Sequence, residues 1–233
     1  MKLYLYIDLF AILIPLIFSF HPRIKFYKNY RYFFPAMFIS GAIYIAWDAL
    51  FAKYGIWGFN EYYLIGLYLF HLPLEEWLFF ICIPYASVFT HYTLSKLYPE
   101  LKLIDIYTKW INRFLIILLT FVVIFHYDRA YTAVNASLSL LILLFAIYKT
   151  PEILNSFYLT FLVVLIPFFI VNGILTGSFI QDEIVWYNND ENLGIRLFTI
   201  PVEDLFYAFG MLLMTVSLME VFRRKVRVSG KTV

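Results

Sequence analysis

Apolar segments about as long as a bilayer is thick recur along this chain. An α-helix needs about 20 apolar residues to cross the hydrocarbon core of a membrane, and seven such segments can be traced. Hydrophobic residues make up 63% of the sequence and charged residues 15%, which leaves too little polar surface to cover a soluble globule. We therefore predict an all-α integral membrane protein. Its seven transmembrane helices are expected at residues 3–20, 33–53, 74–96, 111–126, 130–148, 155–177 and 202–222.

Basic residues are concentrated in alternate loops between these segments. They follow the first, third and fifth helices and fill the C-terminal tail, whereas the other loops are neutral or acidic. Because basic loops stay on the cytoplasmic side, we expect the N-terminus outside and the C-terminus in the cytoplasm. This orientation requires an odd number of helices and predicts a multi-pass protein of the cell membrane. The basic positions are Arg23, Lys25, Lys28, Arg31, Lys96, Lys102, Lys109, Lys149, Arg223, Arg224, Lys225, Arg227 and Lys231.

Two short motifs place a proline and two adjacent acids at the start of an apolar helix. Residues 73–76 read Pro-Leu-Glu-Glu and begin the third helix, and residues 201–204 read Pro-Val-Glu-Asp and begin the seventh. An acid at membrane depth costs several kcal/mol unless it is paired or protonated, so it indicates a functional site. The matched pairs are therefore the main candidates for a site.

The two motifs belong to a longer internal repeat. We predict that residues 1–97 and 130–222 are equivalent three-helix repeats joined by a linker helix within 98–129. Since a whole helix separates the halves, they have the same orientation and are related by a pseudo-two-fold axis along the membrane normal. One inserted residue aligns Trp57 with Trp186, Asn60 with Asn189, Gly66 with Gly194 and Pro73 with Pro201.

Helix capping is the structural alternative for the acids. Proline is favoured at the first helical position, and an acid two positions later can cap the helix or interact with its dipole. A capping box requires Ser or Thr at the cap, however, where Leu72 and Ile200 stand. Capping also leaves the second acid of each pair unexplained, so both interpretations stay open.

The functional alternative is proton donation. A buried carboxyl group tends to hold its proton, more so beside a second carboxylate, and a neutral acid can act as a proton donor. Glu75 and Glu203 are the first choices as donors, with Glu76 and Asp204 as tuning partners. Asp48 lies at the same outer end, inside the second helix, and is expected to join the acidic site.

Several aromatic and amide residues are candidates for contacts with a substrate. Trp57 and Trp186 either anchor the chain at the membrane interface or stabilise a cation with their ring faces. Asn172 either joins the site or forms a hydrogen bond between helices. The complete set of substrate-binding candidates is Trp57, Trp77, Trp186, Asn60, Asn172 and Asn188.

Several classes of chemistry find no support in the sequence. The single cysteine, Cys82, excludes an internal disulfide and a cysteine-based metal site, and the histidines do not have metal-ligand spacing on one helix. The chain has no dinucleotide fingerprint or phosphate-binding loop, and no Asp-rich motif for a diphosphate. We therefore expect no metal, no consumed cofactor and no nucleic acid partner. Proton chemistry on an apolar substrate, or proton movement, remains.

The paired motifs resemble those of the membrane-integral lycopene cyclases. These carotenoid cyclases are made as two small subunits or as one fused chain and are distinct from the flavoprotein type. The resemblance rests on residues 73–76 and 201–204, supported by Gly55 to Asn60 and Val185 to Asn188, and it covers nearly the whole chain.

The resemblance implies a lycopene β-cyclase, a redox-neutral isomerase in a lipid bilayer. Such an enzyme protonates the linear ψ end group, closes a ring through a carbocation and removes a proton to leave a β-ionone ring. Glu75 or Glu203 would donate the proton, and its partner or Asp48 could take the last one. Trp57, Trp77 and Trp186 would shield the cation from water. Whether one or both ends react, and whether the chain forms a homo-oligomer, stays open.

Two other functions are compatible with the same residues. A carotenoid hydratase would add water to the same cation, and a proton-coupled transporter would also carry parallel repeats and buried acids. A transporter is expected to have a helix broken at the midplane, for which Pro167 is the one candidate considered.

Overall fold

The computed structural model describes residues 2–229 and has seven α-helices in that range. Six of them are long and apolar enough to cross a membrane, and the first helix is shorter. These helices fit the predicted all-α membrane protein, while the seventh span and the orientation stay predictions. The helices are α1 (Leu3–Phe18), α2 (Tyr30–Tyr54), α3 (Leu74–Leu97), α4 (Asp105–Phe125), α5 (Ala130–Lys149), α6 (Pro151–Leu175) and α7 (Val202–Ser229).

Several helices extend beyond the apolar segments that predicted them. Helix α4 begins at Asp105 rather than at 111, and α7 continues past 222 through a basic segment. Hydropathy marks only the part of a helix that suits the bilayer interior, so polar turns at either end were missed. At the start of α6, Pro151 occupies the first turn, where its missing N–H costs nothing.

The acid-bearing helices α3 and α7 are central to the packing. Helix α1 packs on α3, and α5 packs on α7 in the corresponding way. Helix α2 packs mainly on α7, while α6 packs on α3. Each acid-bearing helix therefore contacts a helix from the other half of the chain. Helix α4 lies outside, against α5, with most of its surface exposed.

The segments that lead into α3 and α7 contain short strands that the sequence did not predict. Strand β1 of the first half pairs with β4 of the second in antiparallel fashion, and a small hairpin follows each strand. These pairings place the start of α3 and the start of α7 beside a common centre. The strands are β1 (Trp57–Phe59), β2 (Tyr68–Leu69), β3 (Leu72–Pro73), β4 (Val185–Tyr187), β5 (Arg196–Leu197) and β6 (Ile200–Pro201).

Equivalent hydrogen bonds occur in the two segments at a constant spacing of 128 residues. Ile65 N donates to Glu75 Oε1 and Leu193 N donates to Glu203 Oε1. The spacing also pairs Asn60 with Asn188, since each accepts a hydrogen bond from a backbone N–H two residues later. The inserted residue expected from sequence is therefore not needed.

The same spacing changes the position assigned to Trp186. Gly58 pairs with Trp186 in the β1–β4 ladder, so Trp186 corresponds to Gly58 and not to Trp57. A Cβ atom at Gly58 would lie 2.3 Å from Cζ2 of Trp186. The indole therefore packs over the one residue that leaves room for it.

The two prolines lie one position earlier than the capping interpretation assumed. Pro73 is the N-cap of α3, with an extended ψ of 154°, and ends strand β3. Pro201 likewise ends β6 just before α7. Leu72 and Ile200 are thus strand residues rather than caps. Helix α6 continues through Pro167, so this proline does not break the helix.

Candidate active site

A cavity of about 70 Å³ lies among the ends of six helices, beneath the β1–β4 pair. Helices α1, α2, α3, α5, α6 and α7 all contribute to its wall, together with side chains from both strands. Most of the wall is aromatic or aliphatic. Its three carboxyl groups belong to Asp48, Glu76 and Asp204.

Glu76 forms the first acidic centre on this wall. Tyr4 donates its hydroxyl to Glu76 Oε2 at 2.5 Å, and the carboxyl group of Asp48 shares a hydrogen bond with that of Glu76. The indole of Trp57 donates to Asp48. A hydrogen bond between two carboxyl groups needs a proton on one of them. Asp48 and Glu76 can therefore share one proton between their carboxyl groups.

Asp204 forms the second acidic centre. Tyr131 donates its hydroxyl to Asp204 Oδ1, and Tyr187 donates to Oδ2 at 3.1 Å. Burial and the adjacent Asp204 hold the pKa of Tyr187 well above its ordinary value, so this phenol stays a donor. Two hydroxyl donors favour the carboxylate form of an acid. Asp204 thus has a hydroxyl donor on each carboxyl oxygen.

In each half of the chain, a tyrosine near the start of one helix binds the second acid of the motif. Tyr4 of α1 binds Glu76 of α3, and Tyr131 of α5 binds Asp204 of α7. The two centres interact electrostatically across the cavity. The cavity therefore has one acidic centre from each half of the chain.

Glu75 and Glu203 are buried but do not line the cavity. Glu75 accepts the Ile65 N–H at 2.5 Å, while Glu203 accepts the Leu193 N–H and the Thr132 hydroxyl, each at 2.7 Å. Each glutamate thus fastens the loop before its own helix. Adjacent helical residues point about 100° apart, so the first acid of each pair holds the loop while the second faces the cavity.

The substrate-binding candidates divide into two groups. Trp57 and Asn172 line the cavity. The remaining four lie away from its wall. Trp77 donates to the carbonyl of Leu69, Trp186 covers Gly58, and Asn60 and Asn188 cap short turns.

The cavity includes four tyrosines that sequence reasoning missed, Tyr4, Tyr131, Tyr187 and Tyr207. With 20 tyrosines in the chain, residue type alone could not select them. The repeat offered a signal for two of them, because Tyr4 and Tyr131 occupy equivalent places near the starts of α1 and α5.

Asp8 is an additional buried acid that the sequence analysis did not consider. It is 0% exposed in α1, and neither carboxyl oxygen has a hydrogen-bond partner among residues 2–229. It lies within electrostatic reach of Glu75 and Glu76. The cost of an intramembrane acid, which singled out the paired motifs, applies equally to Asp8.

Aromatic rings enclose the space between the two acidic centres. Tyr131 and Tyr187 are stacked with ring centroids 5.7 Å apart, and Trp57 meets Tyr131 edge-on at 5.1 Å. Tyr207 lies 5.0 Å from the ring of Trp47. Electron-rich ring faces stabilise a cation in a dry cavity. No cluster of His, Cys, Asp or Glu suited to a metal ion occurs within residues 2–229.

Comparison with known families identifies the group to which the chain is related. The model of the family described as lycopene cyclase matches residues 1–94 and 128–222, which is most of the sequence. The chain belongs to the lycopene cyclase family. Membership supports a carotenoid cyclase, an enzyme that acts on an apolar carotenoid in a membrane. No curated protein and no solved structure gives a significant match to the chain.

For a lycopene cyclase family member, the unmatched segment is informative as well. Residues 95–127 separate the two matched parts and contain α4, the helix with little buried surface. The matched parts supply every residue on the wall of the cavity.

Proposed function

We propose that this family member converts the linear ψ end groups of lycopene into β-ionone rings. The observation that carries the proposal is the presence of two acidic centres, Glu76 and Asp204, on the wall of one cavity lined mostly by aromatic and aliphatic side chains. An acid and a base facing the same apolar space are the two groups that a proton-driven cyclisation needs.

The first step is the addition of a proton to the end group of the substrate. The Asp48–Glu76 pair supplies a carboxyl proton through Glu76. This proton adds to the terminal carbon–carbon double bond of the end group and leaves a tertiary carbocation. Donation from Glu76 rather than from Glu75 reverses the roles expected from sequence, and the reason is that Glu75 is committed to the Ile65 N–H.

The second step is ring closure within the aromatic enclosure. The next double bond of the chain attacks the cation, which forms the ring bond and moves the positive charge onto the ring. Trp57, Tyr131 and Tyr187 present rings around the space where this charge develops. Their faces stabilise the cation without supplying a nucleophile.

The final step is proton removal by Asp204. Its two tyrosine donors favour the carboxylate, which takes the proton from the ring carbon beside the cation and leaves the ring double bond. One proton enters and one leaves, so the reaction is an isomerisation with no consumed cofactor. The proton returns to the Asp48–Glu76 pair, since the two centres face the same cavity and interact electrostatically.

Exclusion of water decides between a ring and an alcohol as the product. Water that captured the cation would give a tertiary alcohol, the product of a hydratase. Side chains from β1 and β4, including Phe59 and Val185, cover the cavity between the two halves. This cover favours cyclisation.

The proposal includes the two three-helix repeats within 1–97 and 130–222. Hydrogen bonds at a constant spacing of 128 residues support them, as does the family match in two separate parts. The paired strands β1 and β4 would then lie on the pseudo-two-fold axis, with Gly58 opposite Trp186.

Expression in cells that accumulate lycopene tests the proposed function. Pigment analysis is expected to find β-carotene, together with the one-ringed intermediate at short times. The Glu76→Gln variant is the matched negative control because it keeps the side-chain shape and removes the acid. Unchanged lycopene with well-inserted wild-type protein would contradict the proposal, and a tertiary alcohol would identify a hydratase.

A further inference from the structure

A second cavity, of about 300 Å³, lies deeper between α1, α3, α6 and α7. Its wall is formed by aliphatic, aromatic and small side chains, with no charged residue among the described residues that line it. The hydroxyl of Thr90, one of its few polar side chains, donates to the carbonyl of Ala86 at 2.8 Å. The cavity is therefore suited to an uncharged, apolar occupant.

This second cavity, called the lipid-side cavity below, adjoins the acidic cavity. Five residues line both, namely Ile83, Phe168, Asn172, Ala208 and Met211. Along α3, the shared wall runs from Glu76 at the acidic end to Thr90 at the far end. At a helical rise of 1.5 Å per residue, these positions are about 20 Å apart. The two cavities together form a long channel with its acids at one end.

Three prolines inside helices lie on the wall of the lipid-side cavity. Pro15 of α1, Pro84 of α3 and Pro167 of α6 all line it. A proline inside a helix removes one backbone hydrogen bond and bends the helix away from straight packing. All three helices thus have a proline where they border this cavity. Pro35 of α2 lies away from the channel.

The channel reaches the outer surface of the helix bundle beside α1. Phe10 and Ile14 line the lipid-side cavity and are 72% and 64% exposed. Helix α1 packs mainly on α3 and makes little contact with α6. The gap between α1 and α6 therefore opens toward the hydrocarbon part of the bilayer.

We infer that the lipid-side cavity holds the polyene chain behind the reacting end group, and that a linear carotenoid enters end-first from the bilayer between α1 and α6. The inference rests on the proposed function, because an end group seated beside Glu76 requires a place for the rest of its apolar chain. The adjoining lipid-side cavity provides that place. A lipid acyl chain is the other apolar occupant, and the test below distinguishes it.

Plugging the channel with a large side chain tests this inference. Ala11→Trp and Ala86→Trp fill the cavity wall, while Leu13→Trp and Ile81→Trp place the same side chain on the lipid-facing surface of the same two helices. The lycopene retained with the purified protein is measured for each variant in the Glu76→Gln background, in which the end group is not converted. Conversion of lycopene is measured separately in cells that express each variant with Glu76 intact.

Both plug variants are expected to lose retained lycopene and conversion by at least about tenfold, because the end group no longer reaches the acids. The two surface variants should match the wild type. The milder Ala86→Leu serves if the tryptophan variants fail to fold, as judged by their unfolding temperature.

The outcomes separate the channel from the proposed function. Plug variants that retain and convert lycopene like the surface variants would overturn the channel. Wild-type protein that retains lycopene without converting it would sink the proposed cyclisation, and loss of that retained lycopene in the plug variants would still support the channel. Equal co-purification of phospholipid, but of no lycopene, with wild-type and surface variants would mark the cavity as a lipid site and overturn the inference.

Discussion

Asp48 and Asn172 occupy corresponding positions, and both face the acidic cavity. Ile56 N donates to Phe51 O after α2, and Ile184 N donates to Leu175 O after α6. Asp48 and Asn172 each lie three residues before the acceptor carbonyl. The first half of the chain thus carries a carboxyl group where the second carries an amide, which makes the two acidic centres chemically different.

The Asp48→Asn variant should lower the rate of cyclisation by about tenfold or more, since Glu76 loses the acid with which it shares a proton. Asn172→Asp is the matched control in the other half and should leave Glu76 as the donor. Rates of β-carotene formation, corrected for the amount of protein in the membrane, provide the measurement. Equal rates for the Asp48 variant and the wild type would show that Glu76 acts without a partner.

The two acids of each motif should respond differently to amide substitution. Glu76→Gln and Asp204→Asn are each expected to reduce activity by about 10²-fold or more. Glu75→Gln should retain activity within a few-fold, because its amide oxygen can still accept the Ile65 N–H. Single-variant pigment assays at matched expression test this order. The opposite order, with Glu75 essential and Glu76 replaceable, would return the donor role to the first acid.

Gly58 and Trp186 should be exchangeable only together. Gly58→Trp alone forces an indole into the space of another indole, since a Cβ there already lies 2.3 Å from Trp186, and overpacking costs about 1–3 kcal/mol or more. The double variant Gly58→Trp with Trp186→Gly should recover much of the lost stability. Thermal unfolding in detergent measures both. Additive losses in the double variant would show that the two residues do not share one space.

Asp8→Asn should leave the protein at least as stable as the wild type. Asp8 lies four residues after Tyr4, as Asn135 lies four after Tyr131, and the amide of Asn135 donates to the Glu203 carbonyl at 2.7 Å. An amide at position 8 has an N–H donor that can form the corresponding hydrogen bond. This bond is expected to raise the free energy of unfolding by about 1 kcal/mol. The unfolding temperature and the rate of cyclisation are measured together. A collapse in rate with unchanged stability would instead include Asp8 in the proton path.

The helices could be predicted because each has a long apolar segment, whereas the strands could not. Strands such as β2 and β5 have two residues each, which is too short for an alternating pattern to be detected. They matter nonetheless, because they set where α3 and α7 begin. With Pro73 at the cap rather than at the first helical position, Glu75 and Glu76 are the second and third residues of α3.

The chemistry of the site could be predicted in kind but not in its details. The cost of intramembrane charge pointed to Glu76, Asp204 and Asp48 without any structure. The hydroxyl donors could not be found in this way, since a tyrosine at a helix end is ordinary in a membrane protein. Tyr4 contacts Glu76 only because α1 packs on α3. Such a contact between distant parts of the chain produces no local pattern in the sequence.

The pairing of Gly58 with Trp186 also bears on how far the two halves can be alike. A two-fold axis brings equivalent positions face to face, so a dimer of identical halves would present the same side chain from both sides. Two tryptophans would collide there, and two glycines would leave the space now filled by the indole empty. A small residue facing a large one is open only to halves of different sequence. A chain with two identical halves would therefore lose the packing of the indole over Gly58.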